Sequence, residues 1–413
     1  VEVTNPEKIP QVGVGSKAGA GGTLPWAPGL ESPHPPSPGE MTPVLPPRGP
    51  HLTDASAPAL ADGPIPVGVL GATGSVGQRM VGLLEGHPWF RVAYVTGSER
   101  SRGLPYREAA RWAQSRPIPP GVADMEVRAT RATDEAPLVL SALDAAVAGP
   151  VETAFAQAGA LVVSNARNHR MDPAVPLVVP EVNPDHLELL DVQPTRPGGI
   201  VTNPNCSTIG LALTLAPLHR SFGVRWLHVV TLQAVSGAGI PGVSSMEILD
   251  NVIPFIGGEE EKMERETRKI LGTLGEEGLE PASLQVSAQC NRVPVIDGHL
   301  ACVSVELEDE PEPEEAARVM ADFRGRPQGL ALPSAPRRPL HVLEAEDAPQ
   351  PRLHRELEGG MAVPVGRVRD CPLFSLRYVL LSHNTLRGAA GGALLTAELA
   401  VAEGRVPGRR GAT

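Results

Sequence analysis

The segment Ile65–Leu84 reads I-P-V-G-V-L-G-A-T-G-S-V-G-Q-R-M-V-G-L-L, an apolar run that breaks on glycines and resumes with helical spacing. Gly71, Gly74 and Gly77 sit at the break, where glycine permits a tight turn and a close approach to the N-terminus of the following helix. The unpaired N–H groups and dipole there suit a pyrophosphate, although a turn serving only helix–sheet packing has the same spelling. Pro88 and a second apolar strand, Phe90 to Val95, complete a β-α-β unit. A third strand, Leu138 to Leu143, a helix near Val151 to Gly159 and a fourth strand, Leu161 to Ser164, extend it. The pattern predicts an α/β chain opening on a Rossmann-type, doubly wound parallel sheet.

In such a sheet the adenine ribose lies at the end of the second strand, here Gly97-Ser98-Glu99-Arg100-Ser101. Glu99 suits a free 2′-hydroxyl and hence NAD, whereas Ser98, Arg100 and Ser101 suit a 2′-phosphate and hence NADP. The residues alone leave both open, and we read the cofactor as NADP, with Thr73, Ser75 and Val76 completing the turn.

The remaining chain of 413 residues has room for a second domain. Residues 1–63 are rich in Pro, Gly, Ala and Ser without helical or strand period, so they are expected to be a disordered extension, with Met41 a candidate start. The nucleotide domain is expected to span 64–202 and a catalytic and dimerisation domain 203–383. A helix returning to the nucleotide domain (384–404) and a tail (405–413) are expected to follow. Alternating segments at Trp226 to Val235, Leu284 to Ala288, Ala301 to Leu307 and Phe374 to Leu381 predict a second, largely antiparallel sheet with helices on one face. Residues 325–352 read as a Pro/Arg-rich loop, and Thr385 to Ala402 as a terminal helix.

A formal net charge of −11 argues against nucleic acid and anionic membrane as partners. No apolar run approaches the roughly eighteen residues of a membrane span, and the N-terminus lacks a secretory signal layout, so a cytoplasmic protein is expected. The four cysteines, at 206, 290, 302 and 371, form no C-x-x-C pair and have no nearby histidine spacing, which argues against zinc and disulfides and for one reactive thiol. That thiol is Cys206 in I-V-T-N-P-N-C-S-T, placed by the Asn-Pro-Asn break at a helix N-terminus. There the unpaired N–H groups and the dipole are expected to lower its pKa and to stabilise an oxyanion.

Four further segments carry polar residues in apolar or Gly-rich surroundings: Ser164 to Arg170, Gln233 to Gly239, Glu259 to Lys262 and Cys290 to His299. With G-A-T-G-S-V-G, N-P-N-C-S-T, Q-A-V-S-G-A-G, G-G-E-E-E-K-M-E-R-E, R-V-P-V-I-D-G-H and S-H-N-T-L-R-G-A-A-G-G in this order, the chain resembles the aspartate-semialdehyde dehydrogenase family from about Ile65 to Glu403. The E-E-E-K and M-D-P-A-V-P-L-V-V-P-E-V-N stretches look like its archaeal and fungal branch.

The resemblance implies NADPH-dependent reductive dephosphorylation of L-4-aspartyl phosphate, within lysine, threonine, methionine and diaminopimelate biosynthesis. By it, Cys206 is the nucleophile that forms a thioester and His299 the general acid/base. Gln233 orients substrate or imidazole, and Asn205 sits near the oxyanion or the phosphate. Arg292 grips the substrate carboxylate, Glu259 pairs with its ammonium, and Lys262 with Arg170 holds the phosphate. Arg167 competes with Arg170 for that role, and Glu259 and Lys262, three apart on a helix, can equally form a solvated pair. Ser236 and Gly237 are expected to bind the cofactor, and Asn384 to touch its nicotinamide end. No metal is required, and a homodimer or homotetramer is expected. Two rival readings stand beside this one. A related acyl reductase such as malonyl-CoA reductase needs no partner for an amine, and a non-catalytic NADP-binding dimer needs neither Cys206 nor His299.

Overall fold

The computed structural model describes Leu60 and residues 63–408. Apart from Leu60 and Gly63, the expected disordered extension lies outside them, as do the last five residues of the expected tail.

Six strands form the first sheet: β1 (Ile65–Leu70), β2 (Phe90–Gly97), β3 (Val127–Ala129), β4 (Leu138–Ser141), β5 (Leu161–Ser164) and β6 (Gly199–Thr202). Their order is β3-β2-β1-β4-β5-β6, and every pairing is parallel. This is the doubly wound sheet expected from the sequence. β1, β4, β5 and β6 are buried on both faces, which is why they read as unbroken apolar runs. Helix Ser75–Leu84 leaves the sheet immediately after the glycine turn.

The second sheet contains β7 (Val224–Gln233), β10 (Gln285–Arg292), β11 (His299–Leu307), β12 (Leu340–Leu343), β13 (Val363–Asp370) and β14 (Leu376–Ser382). A hairpin of β8 (Thr273–Gly275) and β9 (Gly278–Glu280) stands apart. The order is β10-β7-β11-β14-β13-β12. Its three central pairings are antiparallel, as expected of a largely antiparallel sheet, while the outer strands make it mixed: β10 runs parallel to β7 and β12 parallel to β13. Helix Glu259–Ile270 lies between β7 and β10 in the chain, and such a crossover returns the strand in the same direction. β12 falls inside the segment read as a loop, because four residues among prolines and arginines carry too short a period to register.

Helix Cys206–Phe222 follows β6 and packs, buried over most of its length, among β14, β11, β7 and helix Glu259–Ile270. It ends at Gly223 with φ +65°, a conformation that favours glycine. The terminal helix, Gly391–Ala402, is preceded by a turn of π-helix at Leu386–Ala390. Such turns concentrate near functional sites.

Register places the site. Arg292, the last residue of β10, pairs with Gln233, the last of β7, while His299 opens the antiparallel β11 at the same edge, opposite Ser382. Three of the expected site residues therefore share one end of the second sheet.

Candidate active site

Cys206 is the first residue of its helix, and Asn205 is the N-cap. The Asn205 Oδ1 accepts from the Ser207 N–H at 3.0 Å, satisfying one donor that a helix start leaves unpaired. The Asn205 N–H donates to Glu266 Oε2 at 2.7 Å. Cys206 Sγ lies 3.3 Å from His299 Nε2, although 93 residues separate them in the chain.

His299 is 2% exposed. Its Nδ1 accepts from the Ala234 N–H at 3.0 Å. The ring enters the site from Gly298, whose φ of +103° favours glycine and whose N–H donates to Asn384 Oδ1 at 2.9 Å. Asn384 Nδ2 in turn donates to Ser236 Oγ at 2.8 Å. Gly237 covers ring and guanidinium together, since a Cβ there would stand 2.8 Å from Arg292 Nη1 and 3.1 Å from His299 Cε1.

Charged groups surround the sulfur. Glu259 is buried, accepting from Lys262 Nζ at 3.2 Å, from Gln233 Nε2 at 3.2 Å and from Ser207 Oγ at 3.4 Å. The Glu259–Lys262 pair is therefore not a solvated surface pair, and the Gln233 amide is turned to Glu259. Arg292 is buried and donates to the Ala234 carbonyl at 2.8 Å. Arg170 is buried against Glu266 Oε1 at 2.9 Å and donates to the Asn165 carbonyl at 2.7 Å, while Arg167 is exposed.

Burial, and then the Glu259 carboxylate, push the Cys206 thiol up to about 12, against the pull of Arg170, Arg292 and the Ser207 N–H. This reverses the lowered pKa expected from the helix position alone. The dipole acts, but desolvation and a like charge outweigh it in the protein without substrate. Burial holds the His299 imidazolium down to about 3, assisted by Arg292 and His383 and opposed by Asp297.

The first sheet supplies a fit for a dinucleotide. Gly71 has φ +69°, and a Cβ there would strike the Ala142 carbonyl oxygen at 2.6 Å. A Cβ on Gly77 would lie 2.2 Å from the Gly71 oxygen, so turn and helix touch backbone to backbone. The helix start at Ser75 and Val76 has Gly74 as N-cap, no side-chain cap and no acidic residue in its first turn, which suits an anion. Thr73 reaches the end of β2, lying 3.5 Å from where a Gly97 Cβ would be. Beyond it Ser98 and Arg100 are exposed, Ser101 is partly buried, and Glu99 pairs at 3.5 Å with exposed Arg102.

Several contributors escaped the sequence reading. Glu266 joins Arg170 to the residue before the nucleophile. Lys269 donates to the carbonyls of Arg170, Asp172 and Val175 at 2.7, 2.8 and 2.8 Å, fixing the arginine's loop. Their signal was present in the spacing 259, 262, 266, 269, one stripe of a single helix. Arg79, on the helix after the glycine turn, reaches Asp297 at 3.3 Å, a contact no local pattern announces. Among the described residues, no group of three or more His, Cys, Asp or Glu is placed to hold a metal ion, and no helix is long and apolar enough to cross a membrane.

Residues 66–190 match the family model for the semialdehyde dehydrogenase NAD binding domain, and residues 215–387 that for the semialdehyde dehydrogenase dimerisation domain. The chain is 53% identical over 340 residues to the aspartate-semialdehyde dehydrogenase of Methanothermobacter thermautotrophicus, covering 81% of this chain and 98% of the relative. It is 48% identical over 350 residues to that of Schizosaccharomyces pombe, covering 82% and 98%. Among solved structures it is similar to aspartate semialdehyde dehydrogenase with NADP from Candida albicans, at 43% identity and a TM-score of 0.76, covering 82% and 98%. It is also similar to aspartate semialdehyde dehydrogenase II complexed with ASA from Vibrio cholerae, at 26% identity and a TM-score of 0.67, covering 82% and 99%. With archaeal and fungal relatives matching over 81% and 82% of its length, the chain belongs to the aspartate-semialdehyde dehydrogenase family.

Proposed function

We propose that this protein converts L-4-aspartyl phosphate to L-aspartate 4-semialdehyde, using NADP(H), in the route to lysine, threonine, methionine and diaminopimelate. The observation that carries the reading is the approach of Cys206 Sγ to His299 Nε2 at 3.3 Å, with Arg170, Arg292 and Glu259 gathered around it. Gly71, Thr73, Gly74, Ser75 and Val76 at the glycine turn, with Ser236, Gly237 and Asn384 beside the site, would hold NADPH, which would supply the hydride. Cys206 attacks the acyl carbon and holds the substrate as a thioester. Arg292 presents its fork to the substrate carboxylate, Glu259 receives the ammonium, and Lys262 with Arg170 faces the phosphate. Asn205 and the helix N-terminus stand where negative charge develops. Glu259 gives the substrate amine a buried carboxylate, a feature that a site for malonyl-CoA has no use for.

We assign 64–202 to the nucleotide domain, 203–383 to the catalytic and dimerisation domain, and 384–404 to the returning helix. The chain works as a homo-oligomer in the cytoplasm. Its dimer uses the outer face of the second sheet, where Trp226 and Cys302 are exposed.

The test is phosphate-dependent reduction of NADP with aspartate semialdehyde, beside NAD and beside Cys206→Ala. The expected result is turnover with NADP, lost in the variant. Turnover of malonyl-CoA with none of aspartate semialdehyde would overturn the assignment. Absence of substrate-sensitive alkylation at Cys206 would favour a non-catalytic protein.

A further inference from the structure

Glu152 is fully buried on helix Ala145–Gln157, where the other buried residues, Ala148, Phe155 and Ala156, are apolar. A carboxyl is a costly side chain to bury there. Its Oε1 accepts from Ser141 Oγ at 2.6 Å and from Ser164 Oγ at 2.7 Å. Those serines are the last residues of β4 and β5 and are register partners. One oxygen thus clamps the carboxyl ends of two parallel strands, the edge at which an open α/β sheet meets its ligands.

The chain that leaves this clamp leads to the site. Ser164 Oγ also accepts from the Ala166 N–H at 3.0 Å, turning the backbone as it leaves β5. Asn165, between them, is fixed on several sides. Its N–H and Nδ2 donate to the Ser141 carbonyl at 3.0 and 3.2 Å, and its Oδ1 accepts from Asn203 Nδ2 at 3.0 Å. Its own carbonyl accepts from Arg170 Nη2 at 2.7 Å. Asn203, whose N–H donates to the Ser164 carbonyl at 2.7 Å, lies three residues before the nucleophile. Arg170 is therefore held from two directions, by Asn165 from the first sheet and by Glu266 from helix Glu259–Ile270.

We propose that Glu152 is a positioning residue for phosphate binding: by clamping Ser141 and Ser164 it fixes Asn165, and through Asn165 it aims Arg170 and steadies the Asn203 turn ahead of Cys206. The inference rests on the reading above that Arg170 holds the phosphate. Glu152 lies behind the strand ends and acts only through them. Burial raises its pKa against the pull of both serines, His169 and Arg170, which favours the neutral acid. Its Oε2 is buried and makes no hydrogen bond. Glutamine therefore matches it in shape and charge and keeps the oxygen that the serines need, whereas alanine removes the clamp. Without the clamp Arg170 loses its fixed anchor at Asn165 and keeps Glu266, so phosphate affinity falls without being abolished.

The test is steady-state oxidation of aspartate semialdehyde by Glu152→Ala, Glu152→Gln and Ser164→Ala, with KM taken separately for inorganic phosphate and for NADP. Glu152→Ala is expected to raise KM for phosphate roughly five- to tenfold, the effect of one lost hydrogen bond. KM for NADP should stay nearly unchanged, and kcat at saturating phosphate should fall less than KM rises. Glu152→Gln should recover most of the phosphate affinity. Ser164→Ala should reproduce the phosphate effect and add little to it in the double variant, because both changes break one clamp. It also carries the test if Glu152→Ala does not fold. An unchanged KM for phosphate, or equal rises for phosphate and NADP, would overturn the inference. Arg170→Gln is the control for the reading on which it rests. A raised KM for phosphate in Arg170→Gln but not in the clamp variants sinks the inference alone. The parent's KM in Arg170→Gln removes the phosphate from Arg170, and the inference with it. The phosphate concentration that half-protects Cys206 from alkylation should rank the variants in the same order, and a different order would count against the clamp. This last measurement needs no turnover, so the clamp is tested even where the aspartate semialdehyde assay fails.

Discussion

Gly388 lies against Cys206 so closely that a Cβ on it would fall 2.7 Å from the Cys206 Cβ and 2.9 Å from its Cα. The nucleophile is thus held between its own helix and the π-helical turn at the far end of the chain. Gly388→Ala has to push Cys206 away from His299. Misplacement of a reacting group by about 1 Å costs roughly a hundredfold in rate. A loss of that order in kcat is expected, with slower alkylation of Cys206 and a lower melting temperature. Unchanged kinetics would show that the turn does not position the sulfur.

The same turn is pinned by its neighbour. Arg387 makes a double ion pair with Glu181, and neither side chain has any exposure. Arg387→Met leaves the carboxylate buried without its partner, a change that costs about 3–5 kcal/mol. Denaturant unfolding should register that loss. A change below about 1 kcal/mol would mean that Glu181 takes up a proton or finds another partner.

Glu259 plays opposite roles toward thiol and substrate. After burial, its charge is the larger of the forces that raise the Cys206 pKa. Glu259→Gln should move the alkylation profile of the free protein to lower pH and speed alkylation at neutrality. It should also weaken turnover roughly 10- to 100-fold, the worth of a charged hydrogen bond of about 1.5–3 kcal/mol. An alkylation profile that did not move would remove Glu259 from the vicinity of the sulfur.

His299 makes the fold sensitive to acid. Its folded-state pKa, about 3, lies below the ordinary 6.5, so the unfolded chain binds the proton more readily between those values. The stability it contributes is complete above 6.5 and is lost as the pH falls toward 3. His299→Gln has no such proton to take up and should lose less stability than the parent across that interval. Parallel unfolding curves for the two proteins would contradict the buried, neutral ring.

Cofactor choice is expected to rest on Arg100. It is exposed at the end of β2, while the competing Glu99 is drawn toward Arg102. Arg100→Ala should raise KM for NADP about tenfold and leave KM for NAD nearly unchanged, consistent with loss of one charge-assisted contact to a 2′-phosphate. Equal effects on both cofactors would show that Arg100 does not read the phosphate.

The sequence alone determined the parts whose cause is local. The apolar run to Leu70, the glycines at 71, 74 and 77, and the strands at Leu138 and Leu161 specify a parallel sheet, because buried strands must be apolar throughout and their helices must follow at short spacing. The Asn-Pro-Asn break placed Cys206 at a helix start for the same kind of reason. Tertiary structure decided what depends on neighbours far along the chain. The direction of β10, the burial of Glu259, the hold of Glu266 on both Arg170 and Asn205, and the Ala234 N–H beneath His299 all arise from separate segments meeting. So does the thiol's pKa, since a dipole is visible in one helix, whereas desolvation and charge are sums over everything the fold brings near the sulfur.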